Sequence, residues 1–122
     1  MRAKKIIRIQ IRSVDEALED FVSIAESIKS GQKIRREAGV YFASLEAFRK
    51  AITPKRMQLL HAIRTEKPSS LNELAKLLNR DIKNVSGDVI FLEQIGLVDR
   101  KRYDNKTAPR SAYDEMQVKI AI

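Results

Sequence analysis

Residues 4 to 12 read KKIIRIQIR, so Ile7, Ile9 and Ile11 alternate with Arg8, Gln10 and Arg12. Period two predicts a strand with one apolar face and one basic face. Ser13-Val14-Asp15-Glu16 follows, a spacing at which the serine hydroxyl accepts the Glu16 N–H and the glutamate can reach back. A helix therefore begins here. Leu18, Phe21, Val22, Ala25 and Ile28 recur at steps of three and four, and Gly31 stands where a C-terminal cap is expected. After it come the short apolar stretch Val40-Tyr41-Phe42 and a second helix from about Leu45 to Ala51.

The pattern changes at Thr53-Pro54, an N-cap followed by a proline at the first helical position. Met57, Leu60 and Ile63 mark one face of this helix, and Pro68 stops it. Ser70 to Glu73 repeats the serine-to-glutamate spacing and opens a short helix striped by Leu71, Leu74, Ala75 and Leu78; Asp81 caps a third, from 82 to about 95, closed by Gly96. Leu97 to Tyr103 and Tyr113 to Ile122 read as two strands joined by the polar loop 104 to 109. Three short helices and then a β-hairpin with a basic tip is the layout of a winged helix-turn-helix. The expected fold is thus α+β, mainly α. Residues 1–52 form a strand-helix extension for dimerisation or partner binding, and 53–122 a winged helix-turn-helix domain.

In that layout the third helix enters the DNA major groove, which requires two chemically different faces. At 100° per residue Val85, Val89, Leu92 and Ile95 share one arc, while Lys83, Ser86, Gly87, Ile90 and Gln94 point away and Asn84 lies at the flank. Asp88 falls in the apolar arc and is expected to form an internal ion pair or a capping contact within the motif, because an acid aimed at DNA would be repelled. Arg100, Lys101, Arg102, Lys106 and Arg110 face one acid, Asp104, so eleven residues carry 5 − 1 = +4. This is the expected wing, positioned to touch phosphates or the minor groove. Lys55, Arg56, Lys76 and Arg80 flank helix ends as further phosphate anchors.

Composition narrows the chemistry. The chain has 24 Lys or Arg against 16 Asp or Glu, a net +8, which favours a polyanionic partner. Residues 1–52 carry 11 − 7 = +4 and residues 53–122 carry 13 − 9 = +4. The first surplus, in Arg2, Lys4, Lys5, Arg8, Arg12 and the Lys33 to Arg36 run, has no evident role. Cysteine is absent and His61 is the single histidine, which excludes disulfides, thiolate catalysis and ordinary zinc sites. The acidic group Asp15, Glu16, Glu19 and Asp20 is accounted for by the dipole of the helix it opens. No enzyme, cofactor or metal is expected. Apolar runs are too short for a bilayer span, so a cytoplasmic protein with no membrane association is expected.

The chain also resembles small prokaryotic winged-helix regulators, distantly MarR-like, some encoded as antitoxins beside a toxin gene. The resemblance is carried by the strand and helix of residues 6 to 31, by VYFASLEAFRKAITPKRMQLLHAIR from Val40, by SSLNELAKLLNRDIKNVSGDVIFLEQIGLV from Ser69 and by APRSAYDEMQVKIAI from Ala108. It implies double-stranded DNA binding through Lys83, Asn84, Ser86 and Gly87, with Arg80 and the wing cations beside them. Relatives carry larger or basic side chains at Ser86 and Gly87; a glycine there permits close backbone approach. A homodimer reading a palindrome is the expected assembly. The alternative is an antitoxin whose residues 1–52 bind a cognate toxin while the DNA-binding part regulates its own operon.

Overall fold

The computed structural model describes residues 3–31 and 39–122; Arg2 and the Lys33 to Arg36 run lie outside them. Among the described residues the chain is α+β: β1 (Ile6–Ile11), α1 (Val14–Lys29), β2 (Gly39–Phe42), α2 (Leu45–Ala51), α3 (Pro54–Glu66), α4 (Leu71–Leu78), α5 (Ile82–Gln94), β3 (Val98–Tyr103), β4 (Lys106–Ser111) and β5 (Glu115–Ile120). Contacts gather these elements into two compact units, Ile6–Ala51 with Met116–Ile122, and Ile52–Glu115 with Met1–Lys5. The first changeover along the α2–α3 connection falls between Ala51 and Ile52. The last strand, however, belongs with the N-terminal elements, so the second unit does not run to the end of the chain.

In the first unit the alternation of residues 4 to 12 becomes β1, with Ile7, Ile9 and Ile11 buried. β1 is the middle strand of a sheet ordered β2-β1-β5. It pairs with β2 in parallel, Arg8 opposite Gly39 through Ile11 opposite Phe42. Parallel neighbours need a crossover, and α1 lies within it. The Ser13 hydroxyl accepts the Glu16 N–H at 3.3 Å, and Gly31 takes φ 85, the left-handed conformation that ends a helix without a Cβ penalty. Ser44 caps α2 through the Ala47 N–H, and Phe42 meets Phe48 edge to face at 5.6 Å. Tyr41 donates its hydroxyl to the Arg12 carbonyl, and Arg12 pairs with Asp20 at 3.0 Å. Arg8 reaches Gln117, which assigns part of the N-terminal charge to structural contacts.

The apolar stripe of α1 is not a core face. No residue of α1 is buried, and Leu18, Phe21, Val22, Ala25 and Ile28 all face solvent.

In the second unit α3, α4 and α5 pack with β3 and β4 around Leu59, Ile63, Leu74, Val85, Val89, Leu92, Val98 and Ala108, each essentially inaccessible. Thr53 caps α3 through the Arg56 N–H at 3.2 Å. The buried stripe of α3 is Leu59 and Ile63, not Met57, Leu60 and Ile63; Met57 lies out in solvent. Apolar residues at 57, 59, 60, 62 and 63 permit more than one stripe, and packing on α4 and β4 selects one.

The hairpin also differs from expectation. Its second strand is β4, Lys106–Ser111, paired antiparallel with β3 from Tyr103 opposite Lys106 to Val98 opposite Ser111. The turn is only Asp104-Asn105, with Asp104 at φ 49, a conformation Asp tolerates and one that suits the twist of paired strands. Pro109 looked like loop punctuation, yet in a two-stranded ribbon every strand is an edge and accommodates a proline. The strand at 115–120 goes to the three-stranded sheet beside β1.

Candidate nucleic-acid interface

α5 is built as the two-faced helix its spacing predicts. The Asp81 carboxylate accepts the Lys83 N–H at 2.8 Å and starts the helix. Val85, Val89 and Leu92 are fully buried, whereas Lys83, Asn84, Gly87, Ile90 and Gln94 are exposed and Ser86 is half-buried. Lys83 and Asn84 therefore stand exposed in the first turn.

Gly87 has no structural duty in the isolated chain. A Cβ built on it meets nothing within 4 Å, and its backbone is not left-handed. Gly87→Ala is expected to raise stability by roughly 0.5 to 1 kcal/mol through helix propensity and lower unfolded-state entropy. Urea unfolding measures this, and a destabilised variant would show that the added methyl is not tolerated.

Asp88 sits on the side of α5 that faces the other helices. It accepts from Arg56 Nε at 3.0 Å and from an Arg80 terminal nitrogen at 2.8 Å, so α3, the α4–α5 turn and α5 converge on one carboxylate. Arg56 also stacks over the Phe91 ring, 4.1 Å from its centroid. Burial alone would raise the Asp88 pKa; the hydrogen bonds and charges of Arg80 and Arg56 outweigh it and hold the carboxyl below its ordinary value. The expected internal ion pair is thus present. It engages two cations taken above as phosphate anchors. Arg80 is mostly buried, and its other terminal nitrogen is enclosed without a hydrogen-bond partner. It cannot reach a phosphate without releasing Asp88.

The hairpin cations separate in the same way. Successive strand residues point to opposite faces, so Arg100 and Arg102 share the side of buried Val98, while Asp99, Lys101 and Tyr103 share the other. Arg100 lies against α5, pairing with Glu93 at 2.8 Å. Arg110 donates to the Pro68 carbonyl at 2.6 Å and is half-buried. Lys101 lines the opposite side, in a groove with Arg64, Lys67 and Asp114. Lys101, Arg102 and Lys106 are exposed charges, Arg102 on the α5 side and Lys106 at the tip, opposite Tyr103 and so on the Lys101 side.

The tip meets the start of α4. Ser70 accepts the Glu73 N–H at 3.1 Å, while the Glu73 carboxylate accepts from the N–H and hydroxyl of Ser69, not from Ser70 as the spacing suggested. The Ser69 hydrogen bonds pull the Glu73 pKa down, and the charges of Lys106 and Arg110 add to this. Lys76, Ile82, Asn105, Lys106 and Thr107 line one groove with this helix start. Ile82 is the first residue of α5, so the hairpin tip comes beside the turn that carries Lys83 and Asn84. That proximity had no signal in the sequence, because Asn105 and Thr107 read only as loop.

Comparison with known families bears on the same segment. A family model, HVO_A0114, matches residues 51–118. The chain belongs to the HVO_A0114 family. The match begins at the last residue of α2 and takes in α3, α4, α5 and the hairpin, so every candidate residue above lies within the part this HVO_A0114 chain shares with its family. A search of curated proteins finds no match. Among the described residues no group of three or more His, Cys, Asp or Glu could hold a metal ion, and no helix is long and apolar enough to cross a membrane.

Proposed function

We propose that this protein is a sequence-specific DNA-binding transcription regulator of the winged helix-turn-helix type. α5 is its recognition helix in the major groove and the β3–β4 hairpin its wing on the backbone or minor groove. The observation that carries the reading is the juxtaposition at the start of α5: Lys83 and Asn84 exposed in its first turn, beside a hairpin tip bearing Lys106. A lysine or asparagine there can reach base edges, Lys to guanine O6 and N7 and Asn bidentate to adenine. Arg102 and Lys106 supply sequence-independent attraction through counterion release. Gly87 leaves room for backbone to approach the duplex closely.

Selection of bound duplexes from a random pool at physiological salt, followed by titration of variants, tests this. A consensus sequence is expected. Lys83→Ala and Asn84→Ala are expected to cost roughly 1 to 3 kcal/mol on the selected site and to relax preference at one position each. Arg102→Ala and Lys106→Ala should each weaken all sequences alike and lower the salt slope by about one. Failure to enrich any sequence, with binding unchanged in all four variants, would overturn the proposal.

A further inference from the structure

A groove of about 750 Å³ lies along the face of the hairpin that carries Lys101, opposite the side on which Arg100 meets α5. Lys101, Tyr103 and Arg110 of the hairpin line it together with Lys5, Arg64 and Lys67, all within one compact unit. Backbone fixes Lys5 there. Its N–H donates to the Asp114 carboxylate at 2.9 Å, and its carbonyl accepts the Asp114 N–H at 2.8 Å. Five cations line the groove against two acids, Asp99 and Asp114, a surplus of 5 − 2 = +3. Each acid already has a cation, since Arg64 donates to Asp114 at 3.4 Å and Arg110 stands opposite Asp99 in the β3–β4 ladder. The surplus is therefore Lys5, Lys67 and Lys101, exposed and with no ion pair among the described residues.

Lys67 occupies a position that backbone preference would not give to a lysine. It is the C-cap of α3 at φ 46, the left-handed conformation that Gly or Asn adopts with less strain. The other non-glycine residues of this kind among those described are Asn79 and Asp104, whose short polar side chains suit it. Helix ending thus does not account for Lys67, whereas its ammonium adds to the charge of the groove. We propose that this groove binds DNA phosphates, those of the strand that lies across the minor groove from α5. The inference rests on the proposed function and extends its footprint. A hairpin tip entering a minor groove about 6 Å wide has a phosphate row on either side. Arg102 faces the row nearer α5, and Lys101, with Lys67 and Lys5 in the same groove, faces the other. Lys106 at the tip shares the Lys101 side and also lines the groove beside the start of α5, so the two surfaces are continuous. Lysines meet phosphates as point charges and release counterions, and the Tyr103 hydroxyl can donate to a phosphate oxygen. Lys5 gives part of the N-terminal surplus a role.

The test compares the full-length chain with a Lys5→Gln, Lys67→Asn, Lys101→Gln triple variant on a duplex carrying the selected site and about one helical turn of flank on either side. Each phosphate contact contributes about 0.9 to the salt slope, hence a factor of about five at roughly 0.15 M salt. Each single variant is therefore expected to bind about fivefold more weakly and the triple variant about a hundredfold, with the salt slope smaller by about 2.7 and base preference retained. Phosphate ethylation should reveal positions on the far strand that weaken the wild type when modified and leave the triple variant indifferent. Lys67→Asn is expected to preserve or raise the melting temperature, so its weaker binding cannot come from unfolding. A triple variant with the wild-type salt slope, or one that loses affinity while keeping the wild-type ethylation pattern, would overturn the inference and leave the proposed function standing. A wild-type chain that selects no duplex would overturn both.

Discussion

Ile63→Ala is expected to lower stability by about 3 kcal/mol, within the 2 to 5 kcal/mol typical of truncating a fully buried branched side chain. Met57→Ala, six residues earlier on the same helix, should cost less than about 1 kcal/mol, because much of its side chain is already in water. Ile63 is completely enclosed in the core that α3 forms with α4 and β4. Removing it forfeits transfer energy and leaves a cavity that close-packed neighbours cannot fully refill. For a unit of this size the loss corresponds to roughly 10 to 20 °C in melting temperature. Paired urea titrations decide the matter, and equal losses for the two variants would mean that the wrong stripe of α3 had been assigned to the core.

The second large effect concerns Asp88. Asp88→Ala leaves the Arg56 and Arg80 guanidinium groups close together, mostly buried and without their shared counter-charge. Taking a charge out of a buried network costs about 3 to 5 kcal/mol when burial is complete; with Asp88 still partly accessible, about 2 to 3 kcal/mol is expected. Asp88→Asn separates charge from shape through pH. The folded carboxyl titrates below its ordinary value, so its stabilisation is fully present above the unfolded pKa of about 3.9 and is lost as pH falls through the lower folded pKa. The gap between wild type and Asp88→Asn should therefore be constant from pH 5 to 7, values well above about 3.9, and close below it. A gap that persisted undiminished at low pH would show that hydrogen-bond geometry, not charge, holds the three helices.

This carboxylate illustrates how far the sequence could be read. An acid at position 88 falls on the apolar arc of a helix, and burying it alone is prohibitive, so an internal partner was required. Its identity was not legible. Arg56 lies 32 residues away and Arg80 eight, and both looked like surface cations until the fold brought them together. The same holds for the hairpin: five cations counted as one basic patch, but Arg100 is directed to Glu93, Arg110 to the Pro68 carbonyl and Lys101 to the opposite face. What remains of the candidate DNA surface is smaller, with Lys83, Asn84 and Gly87 on α5 and Arg102 and Lys106 on the hairpin.

Local geometry explains which expectations held. A cap is an agreement between residues two or three apart, so Ser13, Thr53, Ser70 and Asp81 start their helices as their spacing dictates. The burial of Ile7, Ile9 and Ile11, and that of Val85, Val89 and Leu92, likewise follows from periods of 2 and 3.6 that backbone sterics impose. Periodicity reports that a face is apolar. It does not name what covers it, and α1 shows the consequence, with a stripe as regular as that of α5 left in solvent. Val118 and Ile120 gave β5 its strand character in the same way, while its place beside β1 rather than β3 depended on contacts more than a hundred residues apart. The sequence by itself therefore determined the helices, their capped starts and the apolar faces of β1 and α5, because these arise from torsion angles and hydrogen bonds within a few residues. Only the tertiary structure decided which strand completes which sheet, which cations stay exposed and which apolar face is left in solvent, since each depends on what distant segments bring within a few ångströms.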